Sequence, residues 1–171
     1  SLYSCRVCGH GLELVLALGM QKLGGQFPVI GGPAPPEAPL QLVVCNTCGL
    51  AQLLHTVDPE LMFRNYGYRS NVTQTMTAHL QSLAQQAVGV LGRRPKKVLD
   101  VGCNDNTLLL FVPDSDVTLY GIDPSDVPPI PSRVKNMGGF FPQDLPTHMR
   151  DFDLIFTVAC FYDADDPVGF A

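Results

Sequence analysis

The chain has 171 residues, 46% of them hydrophobic and 16% charged, with a formal charge of −5. That composition excludes a disordered chain and allows a real core, while the acidic balance and short basic runs speak against a nucleic-acid partner. No apolar run approaches the roughly 20 residues that cross a bilayer, and cysteines and charges occupy the place of a secretion signal's apolar core. A soluble, cytoplasmic protein without a membrane partner is therefore expected. The chain starts at Ser1 and stops at Ala171 just after an apolar run, so a piece of a longer protein is expected too.

Two similar halves open the chain, Cys5-Arg-Val-Cys8-Gly9 and Cys45-Asn-Thr-Cys48-Gly49. Between them lies Leu12–Leu18, then a segment with Pro28, Pro33, Pro35, Pro36 and Pro39. Proline at that density forbids helix and central strand, so a surface loop is expected there. Leu40–Val44 and Leu50–Leu54 read as short strands. Asp58-Pro59-Glu60 reads as a helix start, with an Asp cap and proline in the first turn.

The clearest helix follows. Met76, Leu80, Leu83, Ala84, Ala87, Val88 and Leu91 form one apolar stripe at helical spacing. Asn71 or Thr73 is placed to cap it, Gly92 to end it, and Pro95 lies beyond the break. Arg93, Arg94, Lys96 and Lys97 are expected to be a solvated segment.

Beyond the break, Val98–Val101, Val117–Ile122, Val134–Met137 and Asp153–Ala159 read as strands, with Thr107–Val112 helical. Strands alternating with helical or irregular connections predict a parallel sheet. The connection Pro124–Ser132 is too rich in proline for a regular helix. The expected divisions are a two-knuckle zinc module over 1–65, a connecting segment and long helix over 66–92, and a cofactor-binding fold over 93–171.

The four cysteines are the strongest chemical signal. Two thiolates three apart on a tight turn can face one ion, and a second such turn completes a tetrahedron. With 36 residues between the pairs, Cys5, Cys8, Cys45 and Cys48 predict one structural Zn2+. Disulfides or an iron site are the alternatives. His10 and His55 are expected to be ordinary loop residues beside four available thiols.

A second site is expected at Asp100-Val-Gly102-Cys-Asn104-Asp105-Asn106, between a strand and a helix. The C-terminal edge of a parallel sheet is where such folds take nucleotide-like ligands. Gly102 allows close backbone approach, N–H groups at the helix start favour a carboxylate, and Asn104 and Asn106 tolerate positive φ. Asp123 lies 21 residues after Gly102, at a spacing that suits a carboxylate accepting both ribose hydroxyls of an adenosine. The alternative is that Asp123 caps the turn before Pro124. Cys103 and Cys160 read as packing residues.

With Cys-Arg-Val-Cys-Gly, Cys-Asn-Thr-Cys-Gly-Leu-Ala-Gln, Tyr-Arg-Ser-Asn-Val, Gly-Cys-Asn-Asp and Gly-Ile-Asp-Pro-Ser in order, the chain resembles the deoxysugar C-methyltransferases. That resemblance implies an α/β architecture: a small zinc-binding module followed by a truncated, Rossmann-like parallel sheet of a class I methyltransferase. It implies S-adenosylmethionine as cofactor beside zinc, with Asp100, Gly102, Asn104, Asp105 and Asp123 as its pocket. It further implies a nucleotide-linked keto-deoxysugar as small-molecule substrate, with Tyr66, Tyr68 and Ser70 in the segment where that family contacts substrate. Tyr68 and Tyr66 are the catalytic candidates, with packing at a domain junction as their alternative; His79 is expected on the surface. The chain departs from the family pattern at Asn106, in place of a third glycine, and at Asp163, where relatives commonly carry His. A complete class I sheet has seven strands and the chain ends after the fourth, so the family's general base is expected beyond Ala171. Two other readings stay open: a non-catalytic module used for interaction in a larger assembly, and a methyltransferase for another small molecule.

Overall fold

A computed structural model describes residues 3–25, 28–113 and 116–171. Contacts divide the chain into two compact units, Ser1–Gly67 with Asp163–Ala171, and Tyr68–Tyr162.

The first unit is built on an antiparallel sheet of β1 (Leu12–Lys22), β2 (Glu37–Cys45) and β3 (Ala51–Leu53), in that order. Strand β2 starts at Glu37, so the proline-rich segment gives up its last residues, Pro39 included, to the sheet's middle strand. Two conditions allow this. Strand β3 pairs only with Leu42–Val44, so at Pro39 just β1 lies alongside, and the β1–β2 register slips between Ala17 and Met20. A proline is tolerated at an edge or a bulge because no ladder bond is lost. Helix α1 (Pro59–Phe63) starts as expected, the Asp58 carboxylate accepting from Glu60 N–H at 3.0 Å.

This unit has little apolar interior. Among its described residues, Leu23 and Val43 are buried beside Cys5, Cys45 and the polar Gln52, whereas Leu14, Val15, Leu16, Leu18 and Met20 of β1 are exposed. So small a core needs a further source of stability. Part of it is a network around Arg6, whose guanidinium donates to the Ala164 carbonyl and to Thr56 Oγ1, both at 3.2 Å, and faces Asp165 at 3.8 Å. The Arg6 backbone N–H donates to Gln52 Oε1 at 2.9 Å. Residues 163–171, with the four-residue helix α4 (Pro167–Phe170), are thereby tied to the first cysteine turn.

The second unit opens with a turn of 3₁₀ helix at Ser70–Val72 and helix α2 (Gln74–Leu91). Thr73, one of the two expected caps, accepts from Met76 N–H at 3.2 Å, and Gly92 closes the helix at φ 68°. The predicted stripe packs inward, with Leu80 and Ala84 buried. Its core partners are Val98, Leu109 and Leu119.

Strands β4 (Lys97–Val101), β5 (Thr118–Asp123), β6 (Lys135–Gly138) and β7 (Leu154–Phe156) form a parallel sheet in the order β6-β5-β4-β7. This is the predicted α/β architecture, with a four-cysteine module ahead of a parallel sheet. Helix α3 (Thr107–Leu110) links β4 to β5, while no helix lies between β5 and β6, as the prolines require. The fourth strand is shorter than its apolar run. It pairs only over Val98–Asp100 of β4, and the chain turns away at Ala159, whose φ is 55°. The basic cluster anchors this edge rather than being merely solvated. Asp153 accepts from Lys96 N–H at 2.7 Å and Lys97 N–H at 3.0 Å and pairs with Arg93 at 2.6 Å. Those N–H donors and the guanidinium hold its carboxyl below the ordinary range.

One position in β5 admits glycine alone. A Cβ on Gly121 would stand 2.6 Å from Cys103 Sγ and 3.0 Å from its Cβ. Gly121→Ala is expected to lower stability by about 1–3 kcal/mol, the usual cost of overpacking. Urea unfolding checks it, and Cys103→Ala in the same chain should recover part of the loss.

Candidate zinc centre and cofactor site

The two cysteine turns are copies of one another. Cys5 N–H donates to the His10 carbonyl and Gly9 N–H to the Cys5 carbonyl, at 2.8 and 2.9 Å. Cys45 N–H donates to the Leu50 carbonyl and Gly49 N–H to the Cys45 carbonyl, at 2.9 and 3.0 Å. Closing each turn this way requires left-handed glycine, and φ is 73° at Gly9 and 77° at Gly49. Both turns then aim N–H groups at sulfur, Val7 to Cys5 and Thr47 to Cys45, each at 3.4 Å.

The four sulfurs lie within 4.8 Å of one another, Cys5 and Cys48 at 3.6 Å and Cys8 and Cys45 at 3.4 Å. None is in a disulfide. The N–H groups of Cys48 and Thr47 pull the Cys45 thiol down to about 6. Four converging sulfurs with thiolate-stabilising donors suit one tetrahedral Zn2+, which closes the site against catalysis. The histidines are engaged elsewhere, His10 Nδ1 at 2.9 Å from the Cys8 carbonyl and His55 Nε2 at 2.7 Å from Gln41 Oε1.

The second site lies at the C-terminal edge of β4 and β5. Gly102 and Cys103 N–H groups both reach the Ile122 carbonyl, at 2.9 and 3.4 Å, joining the β4 turn to the end of β5. Gly102 has φ 73°, and a Cβ there would stand 3.1 Å from the Cys160 Cβ, just past β7. Asn104 and Asn106 adopt φ 50° and 73°, the conformation anticipated for them.

Side chains of this turn bond to other parts of the second unit. Asp105 is buried: Oδ1 accepts from Thr107 N–H at 3.1 Å and its hydroxyl at 2.5 Å, and Oδ2 from Asn71 N–H at 3.0 Å. It ties down Thr107 at the start of α3 and holds the segment before α2. Asn104 is turned to that same segment, its Oδ1 accepting from Ser70 N–H at 3.0 Å and its Nδ2 donating to the Tyr68 carbonyl at 3.1 Å. N–H groups expected to lie open at the start of α3 are taken up internally, Asn106 by the Cys103 carbonyl at 2.9 Å and Thr107 by Asp105.

Asp123 ends β5 with both oxygens engaged. Oδ2 accepts from Asn104 N–H at 2.8 Å, and Oδ1 from Ser125 N–H at 2.8 Å and its hydroxyl at 2.5 Å. Asp100 is buried in β4, and burial together with the nearby Asp123 charge pushes its carboxyl well above the usual carboxylate range. Burial likewise pushes the Cys103 thiol up, consistent with packing rather than nucleophilic chemistry. The Asn106 side chain is fully buried, and its amide has no hydrogen-bond partner among the described residues. Sequence reasoning missed this; its only signal was Asn in place of glycine.

Tyr66 and Tyr68 fall in different units. Tyr66 makes an edge contact with Phe63, ring centroids 6.2 Å apart, and its ring covers Gly25. Tyr68 is about 42% exposed, with its backbone carbonyl on Asn104. His79 is exposed. No helix of the described residues is long and apolar enough to cross a membrane.

Residues 5–63 match a family model described as "Putative zinc binding domain". The chain is similar to the C-methyltransferase NovU of Streptomyces niveus, at 30% identity over 125 residues. That similarity covers 71% of this chain and 30% of the relative, so the chain spans less than a third of the protein it matches. Among solved structures it is similar to the plantazolicin methyltransferase BpumL in complex with a monoazolic desmethylPZN analog and SAH. There the identity is 17% and the TM-score 0.46, with 54% of this chain and 38% of that one covered.

Proposed function

We propose that this chain is part of an S-adenosylmethionine-dependent C-methyltransferase acting on a nucleotide-linked keto-deoxysugar. The observation that carries the cofactor half is the left-handed turn Gly102–Asn106 at the carboxyl edge of a parallel sheet, directly beside the carboxylate ending β5. Similarity to a C-methyltransferase, with a matching zinc-binding segment at residues 5–63, supports the reaction class.

In this reading Cys5, Cys8, Cys45 and Cys48 hold Zn2+ and keep the first unit folded. Asp123 accepts the ribose hydroxyls, and Gly102 lets the ligand lie against the turn. Asn104 and Asp105 hold the turn's shape, while Asp100 is buried in β4 two residues before Gly102. The residues fit such a ligand: acidic acceptors meet its hydroxyl donors, and the orphaned Asn106 amide offers both a donor and an acceptor. When bound, the cofactor supplies an electrophilic methyl group on sulfonium. The chain's own task is then to hold that ligand and to donate a hydrogen bond to an enolate oxygen, for which Tyr68, in the same unit as the turn, is the candidate.

Titration with S-adenosylhomocysteine is expected to show saturable binding at one site per chain by calorimetry. Heats no larger than dilution at millimolar ligand would overturn the cofactor assignment.

A further inference from the structure

The segment between Tyr68 and Val72 has no strand partner, yet its backbone is held to the cofactor turn. Ser70 N–H donates to Asn104 Oδ1 at 3.0 Å, with the Ser70 hydroxyl at 3.5 Å from the same oxygen. The Asn104 amide nitrogen returns a bond to the Tyr68 carbonyl at 3.1 Å. One carboxamide thus brackets residues 68–70 from both sides, using its donor and its acceptor at once. Meanwhile the Asn104 backbone N–H donates to Asp123 Oδ2 at 2.8 Å. A continuous path therefore runs from the Asp123 carboxylate through Asn104 to the backbone that carries Tyr68.

We propose that Asn104 is a positioning residue that couples the ligand state of Asp123 to the placement of Tyr68. The proposal rests on the cofactor reading above. A ligand hydroxyl donating to Asp123 competes with the Asn104 and Ser125 donors for its lone pairs. The Asn104 peptide then shifts, and its side chain transmits that shift to residues 68–70. An aspartate at 104 would keep the acceptor for Ser70, lose the donor for Tyr68 and set a second charge beside Asp123. A glycine would keep the left-handed backbone, φ 50° here, and remove the clamp alone. Asp105 still anchors Asn71 at 3.0 Å, so the segment is loosened at 68–70 rather than released.

Hydrogen exchange on the chain and on Asn104→Gly, each with and without S-adenosylhomocysteine, tests this. Without ligand, exchange at the Ser70 amide is expected to rise at least tenfold in Asn104→Gly, while Lys97–Val101 stays protected. With ligand, protection over 68–72 should change in the wild type and stay fixed in the variant. The chain has no tryptophan, so Tyr68→Trp gives an emission signal from that position alone. Its ligand-induced shift should vanish when Asn104→Gly is added. Unchanged Ser70 exchange in Asn104→Gly, or equal ligand responses in both proteins, overturns the coupling. A wild type that binds no S-adenosylhomocysteine overturns the cofactor reading and with it the coupling, while the ligand-free comparison still decides whether Asn104 clamps the segment.

Discussion

Cys45→Ser is expected to abolish stoichiometric zinc binding and to unfold the first unit, leaving the parallel sheet of the second protected. The size of the effect follows from how little else holds that unit. Its buried aliphatic side chains among the described residues are Leu23 and Val43, each worth about 1.5–3 kcal/mol. Structural zinc in small modules supplies roughly 10–16 kcal/mol of apparent binding energy, which is folding energy when no site exists in the unfolded chain. Cys45 is the ligand whose loss should hurt most. It is 1% exposed, it ends β2 opposite Leu12, and its backbone closes the second turn through Leu50 and Gly49. A serine there retains the shape and loses the soft thiolate. Elemental analysis should give one zinc per wild-type chain and far less for the variant. Hydrogen exchange should show protection lost from Leu12–Lys22 and Glu37–Cys45 but kept in Lys97–Val101. A variant that still carries one zinc, or β1 and β2 amides that stay protected after chelation, would show that the metal does not hold this fold.

Asp123→Ala is expected to weaken S-adenosylhomocysteine binding by about 30–150-fold, or about 2–3 kcal/mol, the scale of a hydrogen bond to a charged acceptor. A carboxylate has about four lone-pair sites, and three protein donors engage that of Asp123. Room for ribose therefore comes from the fourth site and from loosening the Asn104 and Ser125 donors, the Ser125 hydroxyl being free to rotate away. Two companion variants separate ligand loss from turn collapse. Asp123→Asn keeps a neutral acceptor and should lose roughly tenfold or less, whereas Ser125→Ala removes a competing donor and should leave binding intact or slightly tighter. Calorimetry on the three variants checks the order. Equal affinity in wild type and Asp123→Ala would leave Asp123 with turn capping as its whole role.

Local chemistry made much of this molecule legible in the sequence. Cysteine pairs separated by two residues and followed by glycine point to metal-facing turns, and both turns form. The apolar stripe of α2, its Thr73 cap and its Gly92 stop act within a few residues of one another. So does the preference of Asn104 and Asn106 for a left-handed backbone. The alternation of strands with short connections was likewise enough to predict a parallel sheet.

Tertiary structure decided what depends on residues far apart in the chain. Pro39 entered a strand because β3 is too short to pair beside it, and no local propensity records the length of a neighbour. The run Asp153–Ala159 promised a longer strand and gave Leu154–Phe156, because β7 pairs only with Val98–Asp100 of β4. The family resemblance implied Asn104 and Asp105 as part of the cofactor pocket. Their side chains are committed to Tyr68, Ser70 and Asn71 across more than thirty residues of chain. Arg6 binds the carbonyl of Ala164 over a still longer span. A sequence motif fixes the backbone of a turn through short-range sterics. Which partner its side chains then take is settled by whichever distant segment arrives with unsatisfied N–H and C=O groups.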